Sequence, residues 1–280
     1  MNQQLLQKGK RFLRNGLCFL WQKSLQRAVK EQKLQKLLEE LKKIVLDITE
    51  QYSSFKIDTS YLQNKVRSLH AFQIFLVDKV INGFANPTIV DIGDSAGTHI
   101  QYLQGLYGRQ KQMNCLSINL DSIAVAKIKA KGLKAIQARA EDLEEYNINT
   151  DIFLCFEIME HLMDPCRFLR ELASKTNAKY LIITVPYVKN SRVGLHHIRT
   201  GREGNLNAET THIFELNPND WKLLAKHSGW QIAYEKIYFQ YPKWSFLYLT
   251  KPLWKRLDFE GFYGMILKKD DTWSKKYLDW

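Results

Sequence analysis

At residues 89–97, Ile89-Val90-Asp91-Ile92-Gly93-Asp94-Ser95-Ala96-Gly97, an apolar run passes directly into a glycine-bearing turn. Glycines in such a turn let the backbone bend tightly and let a ligand lie against the main chain. A helical pattern opens at Thr98, so a nucleotide-like ligand would sit at the carboxyl end of the first strand of an α/β sheet. A dinucleotide fingerprint needs G-x-G-x-x-G, and its second and third glycines are missing here. The stretch Gly93–Gly97 also spells G-x-S-x-G, in which Ser95 would be a nucleophile on a strand-to-helix elbow. Such an elbow follows several strands and an H-G-G-G-like segment. Mostly helical sequence precedes this turn, so a serine esterase using Ser95 stands only as an alternative.

The elements that must position these residues follow from periodicity. From Thr88 onward, short apolar runs alternate with helical patterns, the signature of a parallel sheet covered by helices on both faces. Strands are predicted at Thr88–Ile92, Cys115–Asn119, Lys134–Ala138, Asp151–Phe156 and Tyr180–Val185. Gln231–Tyr238 and Phe262–Leu267 would complete a seven-stranded, doubly wound, mostly parallel sheet of Rossmann-like type. Asp121 and Ser122 can cap the helix after the second strand, and Gly132 stops it. Asp164-Pro165 and Asn217-Pro218 each place a cap before a first-turn proline. Upstream, residues 1 to 50 contain no proline, and Leu34, Leu37, Leu38, Leu41, Ile44, Val45 and Ile48 recur at helical spacing. A further helix from Tyr61 to Ile81 runs into Asn82-Gly83. The expected organisation is a helical N-terminal extension over 1–84 and an α/β domain over 85–280. Within that domain, the long, polar, basic segment 186–217 is expected to cover the substrate.

The formal net charge of +12 favours encounter with an anionic partner: nucleic acid, an acidic membrane face or a phosphorylated intermediate. Cys18, Cys115, Cys155 and Cys166 form no C-x-x-C pair, which suggests neither a zinc site nor a disulfide framework and fits a reducing cytosol. The run Leu17-Cys18-Phe19-Leu20-Trp21 is too short to span a bilayer or to form a signal-peptide core. A cytoplasmic protein is expected. Leu5, Leu6, Phe12, Leu13, Leu17, Phe19, Leu20 and Trp21 interleave with Lys8, Lys10, Arg11, Arg14 and Lys23. That pattern reads either as a helix packed on the main domain or as a basic amphipathic helix on an anionic membrane surface.

An acidic residue two positions before G-x-S-x-G resembles the first motif of the class I S-adenosylmethionine-dependent methyltransferases, an acidic residue followed by G-x-G-x-G. Asp91, Gly93 and Gly97 match, Ser95 replaces the middle glycine, and Asp94 lies in the loop. The resemblance implies that Asp91 and the loop backbone hold the methionine and ribose parts of the cofactor. It further implies a ribose contact at the end of the second strand, where Asn119 stands in place of a carboxylate, with Asp121 as a helix cap. An adenine contact is implied in the turn holding Glu141 and Asp142. The run from Asp151 through Phe156, Glu157, Glu160 and His161 to Asp164-Pro165 resembles the stretch of these enzymes that passes over the bound cofactor.

The spacing E-x-x-E-H at Glu157, Glu160 and His161, with His212 downstream, looks like the arrangement in small-RNA 2′-O-methyltransferases. There, two carboxylates and two histidines hold a divalent ion against a vicinal diol. That likeness implies Mg²⁺ or Mn²⁺ on Glu157, Glu160, His161 and His212; relatives with the same spacing and no metal imply Glu157, His161 or His212 as base or positioning group. His196, His197, Arg199 and Arg202 are further candidates in the covering segment. The expected reaction is O-methylation of a saccharide or lipid-linked hydroxyl. The alternatives are RNA methylation, for which the aromatic RNA-binding motifs are absent, and a cofactor-binding protein without chemistry, suggested by Ser95 and Asn119.

Overall fold

The computed structural model of this chain describes residues 19–146, 148–194, 201, 211–257 and 259–277. Helix α1 is described over 19–31, followed by α2 (Gln35–Ile44) and α3 (Ser60–Ile81). There follow β1 (Thr88–Ile92), α4 (Thr98–Tyr107), β2 (Asn114–Asn119), α5 (Ser122–Ala130), β3 (Ala135–Gln137) and β4 (Ile152–Phe156). The chain continues through α6 (Pro165–Lys175), β5 (Tyr180–Pro186), β6 (Arg192–Val193) and β7 (Phe214–Glu215). It then forms α7 (Pro218–His227), β8 (Trp230–Phe239), α8 (Lys251–Leu257) and β9 (Gly261–Lys269).

Each capping expectation is met by a hydrogen bond. Asp121 accepts from the Ile123 and Ala124 amides, Asp164 from the Arg167 amide, and Asn217 from the Asn219 and Asp220 amides. Gly132 and Gly229 take φ of 73° and 95° just past α5 and α7, a region glycine enters without a Cβ penalty.

The sheet order is β3-β2-β1-β4-β5-β9-β8. β1 to β5 run parallel, and β9 lies antiparallel between β5 and β8. This is the doubly wound, seven-stranded, mostly parallel sheet expected from the sequence. Chain order reverses between β1 and β4, where Ile92 pairs with Cys155. A crevice at the carboxyl ends of these two strands is where such a sheet takes its ligand.

Both faces of the sheet are covered, which is why the central strands read as unbroken apolar runs: all five residues of β4 are buried. On one face α6 and α7 contribute Phe168, Leu172 and Trp221. On the other, the N-terminal helices share a core with the strands: Leu25, Leu38, Leu41, Phe72 and Leu76 pack with Ile152 and Leu154 of β4 and Ile266 of β9. Gly264 of β9 allows the close approach of α3, because a Cβ there would lie 2.5 Å from Leu76 Cδ1. Leu34, Leu38, Leu41, Val45 and Ile48 are all buried, so the N-terminal apolar repeat is a packing face. No helix among the described residues is long and apolar enough to cross a membrane.

Candidate active site

β1 ends at Asp91-Ile92 and the chain turns at Gly93, φ 90°, where a Cβ would lie 2.1 Å from Ile158 Cδ1. Gly97, φ 74°, is the N-cap of α4, and a Cβ there would lie 2.7 Å from Leu133 Cδ1. Between them, Asp94 folds its carboxylate back into the loop. It accepts from the Thr98 amide at 3.1 Å, the Ala96 amide at 3.4 Å and the Ser117 hydroxyl at 3.4 Å. Ser95 stays half-buried, and among the described residues no histidine is hydrogen-bonded to it, as a hydrolytic elbow would require. Asn119 donates to the Asp94 carbonyl at 3.3 Å and accepts from the Asp121 amide at 2.8 Å, so it ties the ends of β1 and β2 together.

A buried chain of hydrogen bonds supports this loop from beneath. Asp91 Oδ2 lies 3.1 Å from His99 Nδ1, and His99 Nε2 lies 3.0 Å from Gln73 Oε1. Gln73 Nε2 donates to the Thr184 hydroxyl at 3.1 Å. Because Gln73 Oε1 only accepts, His99 Nε2 carries hydrogen, and the remaining proton is shared between His99 Nδ1 and Asp91. Burial, reinforced by Asp94, pushes Asp91 up to about 7, against the pull of His99. Burial works against protonation of His99, yet Asp91 and Asp94 raise it above the usual imidazole range. Asp91 Oδ1 is buried with no hydrogen-bond partner in the protein.

A second cluster forms where β4 ends. Glu157 sits at φ 55°, a region costly for a side chain with a Cβ, and its amide donates to the Thr184 carbonyl at 2.9 Å. Burial pushes its carboxyl up to about 8, opposed by Thr184 and Lys65. Glu160 is fully buried; neither carboxylate oxygen has a hydrogen-bond partner. Burial, then the charges of Glu157 and Glu215, hold it well above the usual carboxylate range.

The two-stranded ribbon of β6 and β7 brings His212 to this cluster. The Ile213 amide donates to the Glu160 carbonyl at 2.7 Å. His161 Nδ1 donates to the Thr211 carbonyl at 3.1 Å, and the His161 and His212 rings meet edge-on at 4.7 Å. His212 Nδ1 donates to Glu215 at 3.2 Å, and Glu215 also pairs with Arg192. Burial opposes ionisation of Glu215, but His212 and Arg192 hold it below the usual range. With Nδ1 carrying a hydrogen, the neutral form of either imidazole would offer Nε2 as its ligating atom, the orientation that an Nδ1–H partner gives to a metal-ligating histidine. Glu160, His161 and His212 each offer a ligand atom within 4.8 Å of the others; Glu157 does not join them at that spacing.

The remaining predicted residues frame the same crevice or lie apart from it. Phe156, the last residue of β4, is buried with its ring 4.9 Å from that of His99. Glu141 and Asp142 lie in a 3₁₀ turn, Ala140–Tyr146, partly exposed beside Arg139. His196, His197, Arg199 and Arg202 lie outside the described residues, as does the chain before residue 19. Sequence reasoning missed His99, Gln73, Thr184 and the ribbon. Gln73 carried a signal, as the one polar residue in the apolar helical run Ala71-Phe72-Gln73-Ile74-Phe75-Leu76-Val77.

Residues 90–177 match the model of a methyltransferase domain family. Among curated proteins nothing matches. Among solved structures, the fold is similar to a protein assigned as a sarcosine dimethylglycine methyltransferase from Galdieria sulphuraria. That pair shares 13% identity at a TM-score of 0.54, over 75% of this chain and 88% of the other. It is also similar to the [4+2]-cyclase SpnF, with 12% identity and a TM-score of 0.53, over 83% of this chain and 92% of that one. At these identities the likeness shows the fold, and chemistry has to be argued from the site.

Proposed function

We propose that this chain, whose residues 90–177 match a methyltransferase domain family and whose sheet has the doubly wound order, is a class I S-adenosylmethionine-dependent methyltransferase that methylates a hydroxyl group of a saccharide or lipid-linked acceptor. The cofactor, when bound, supplies an electrophilic methyl group. The residues proposed to hold it are Asp91, Gly93, Asp94, Ser95, Gly97, Asn119, Glu141, Asp142 and Phe156. The orphaned Asp91 Oδ1 fits a donor group of the ligand, and the positive φ at Gly93 and Gly97 supports a loop built for close backbone approach.

The observation that carries the hydroxyl acceptor is Glu160, fully buried with both oxygens unpartnered, facing His161 and His212. A hydroxyl is a poor nucleophile until its proton is removed, and a base near neutrality does this best. His161, His212 and Glu157 are the proposed base and positioning groups. Glu160, His161 and His212 also fit Mg²⁺ or Mn²⁺, which would supply Lewis acidity toward the acceptor oxygen. A saccharide offers neighbouring hydroxyls to such a cluster, and a ribose of RNA offers the same chemistry.

The test is methyl transfer from labelled S-adenosylmethionine to glycolipid, soluble saccharide and RNA fractions, with and without chelator. Label in a saccharide or glycolipid fraction supports the proposal, and label in RNA alone overturns its acceptor. Cofactor binding with no transfer to any fraction would support a non-catalytic protein. Full activity in chelator removes the metal, and full activity in both His161→Ala and His212→Ala removes the histidines.

A further inference from the structure

Several of the most exposed apolar side chains belong to two regions that pack against each other. Trp244, Phe246 and Leu249 are 83%, 80% and 80% exposed, and Tyr248 is 43% exposed. Helix α1 adds Phe19 at 59% and Leu20 at 42%. These two regions are far apart in sequence, with a separation of 226 between Ser24 and Thr250, yet they are joined by specific contacts. The Ser24 and Thr250 hydroxyls lie 2.8 Å apart, and the Trp254 indole donates to Ser24 at 3.3 Å. Glu31 accepts from the Lys243 amide at 2.7 Å and the Trp244 amide at 3.2 Å.

The exposed groups stand on a fixed base. Thr250 and Trp254 are buried, and Ser245 caps the 3₁₀ turn Phe246–Thr250 through the Leu247 amide at 3.1 Å. In a 3₁₀ turn side chains three apart eclipse, which puts Phe246 and Leu249 on one side. Cations accompany the rings. Lys23 Nζ lies 5.5 Å from the Phe19 centroid, Lys243 4.0 Å from Phe239 and Lys251 5.4 Å from Tyr248. Of the acidic side chains beside these residues, Glu31 is turned inward onto backbone amides and Arg27, and the buried Glu260 lies 4.0 Å from Lys251.

Protruding Trp, Phe and Leu with lysines beside them match the headgroup and upper acyl region of a bilayer, where aromatic rings partition and cations meet anionic lipid. Lysine is depleted in protein–protein interfaces, which argues against a protein occupant. We propose that the face formed by residues 243–251 and the exposed side of α1 docks on an anionic lipid surface. The apolar side chains enter the headgroup boundary and the lysines lie against lipid phosphates. This goes beyond the methyl-transfer reading and does not depend on it.

The test is co-sedimentation of the full chain, without cofactor, on vesicles of phosphatidylcholine mixed with phosphatidylglycerol and on phosphatidylcholine alone. Binding is expected to the mixed vesicles, weakened by added salt. The triple variant W244A/F246A/L249A should reduce the bound fraction about tenfold. Because those side chains are exposed, its melting temperature should match the parent. Lys23→Glu with Lys243→Glu should remove the preference for anionic vesicles. No binding to mixed vesicles, equal binding to both compositions, or undiminished binding by the folded triple variant would overturn the proposal. So would RNA binding that is lost in the triple variant while vesicle binding is not.

Discussion

The two polar clusters at the carboxyl edge of the sheet are both buried, but they differ in how fully the protein satisfies them. Around Asp91, hydrogen bonds run through His99 and Gln73 to Thr184, and Asp94 accepts from three donors. Among the described residues of that cluster, Asp91 Oδ1 is left over. Around Glu160, both of its oxygens, Glu157 Oε1 and Thr211 Oγ1 lack partners. A satisfied buried network fixes geometry, whereas an unsatisfied buried carboxylate costs free energy unless something binds it. The first cluster fixes the geometry of a loop, and the second leaves buried polar atoms that the protein itself does not satisfy.

Glu160→Gln should have the largest effect, lowering methyl transfer by about 10²- to 10⁴-fold while leaving cofactor affinity unchanged. Steady-state kinetics with a binding titration checks this. An equal loss of affinity would mean that the two clusters are one site. Gly93→Val comes next. It places a Cβ 2.1 Å from Ile158 Cδ1 at a φ of 90°. Cofactor affinity should fall at least about 100-fold in a protein that still folds. Ser95→Ala should leave it within about threefold, since among the described residues that side chain makes no hydrogen bond.

The raised carboxyls predict the pH dependence of stability. Asp91, near 7, and Glu157, near 8, both hold protons more tightly in the folded chain than in the unfolded one. Their contribution is complete below their ordinary values and is lost progressively as pH rises from there through about 7 to 8. His70 acts in the opposite sense: burial, then the charges of His99 and Arg67, keep it neutral, so its contribution is lost on acidification below 6.5. Melting temperature should therefore pass through a maximum and fall on the alkaline side. Glu157→Gln should flatten that fall. An unchanged alkaline limb in the variant would place the titration elsewhere.

A smaller effect than at Gly93 is expected for Asn119→Ala, which removes the side-chain tie from the end of β2 to the loop after β1 while the Gly93 amide still donates to the Ile118 carbonyl. Two hydrogen bonds are lost. Stability should drop by about 1 kcal/mol and cofactor affinity by a few-fold. A loss as large as that at Gly93 would make Asn119 a principal ligand contact.

The strands and helix caps were legible because they are written locally: Asp121, Asp164 and Asn217 each lie within three residues of the amides they cap. The glycine loop and the Glu157–His161 run were legible for the same reason. His99 and Gln73 were not, because their pairing spans 26 residues and depends on how α3 crosses the sheet. The β6–β7 ribbon has two residues per strand, too few for alternation to register. The union of α1 with residues 243–251 was not legible either, because it rests on contacts across 226 residues.

The central claim, that the glycine loop beside Asp91 holds S-adenosylmethionine, is tested most directly by calorimetric titration of the full chain with that compound. Saturable binding at one site per chain is predicted, lost in Gly93→Val while the variant keeps its circular dichroism spectrum. No heat of binding and no thermal stabilisation up to about 1 mM cofactor, or equal binding by Gly93→Val, would contradict it.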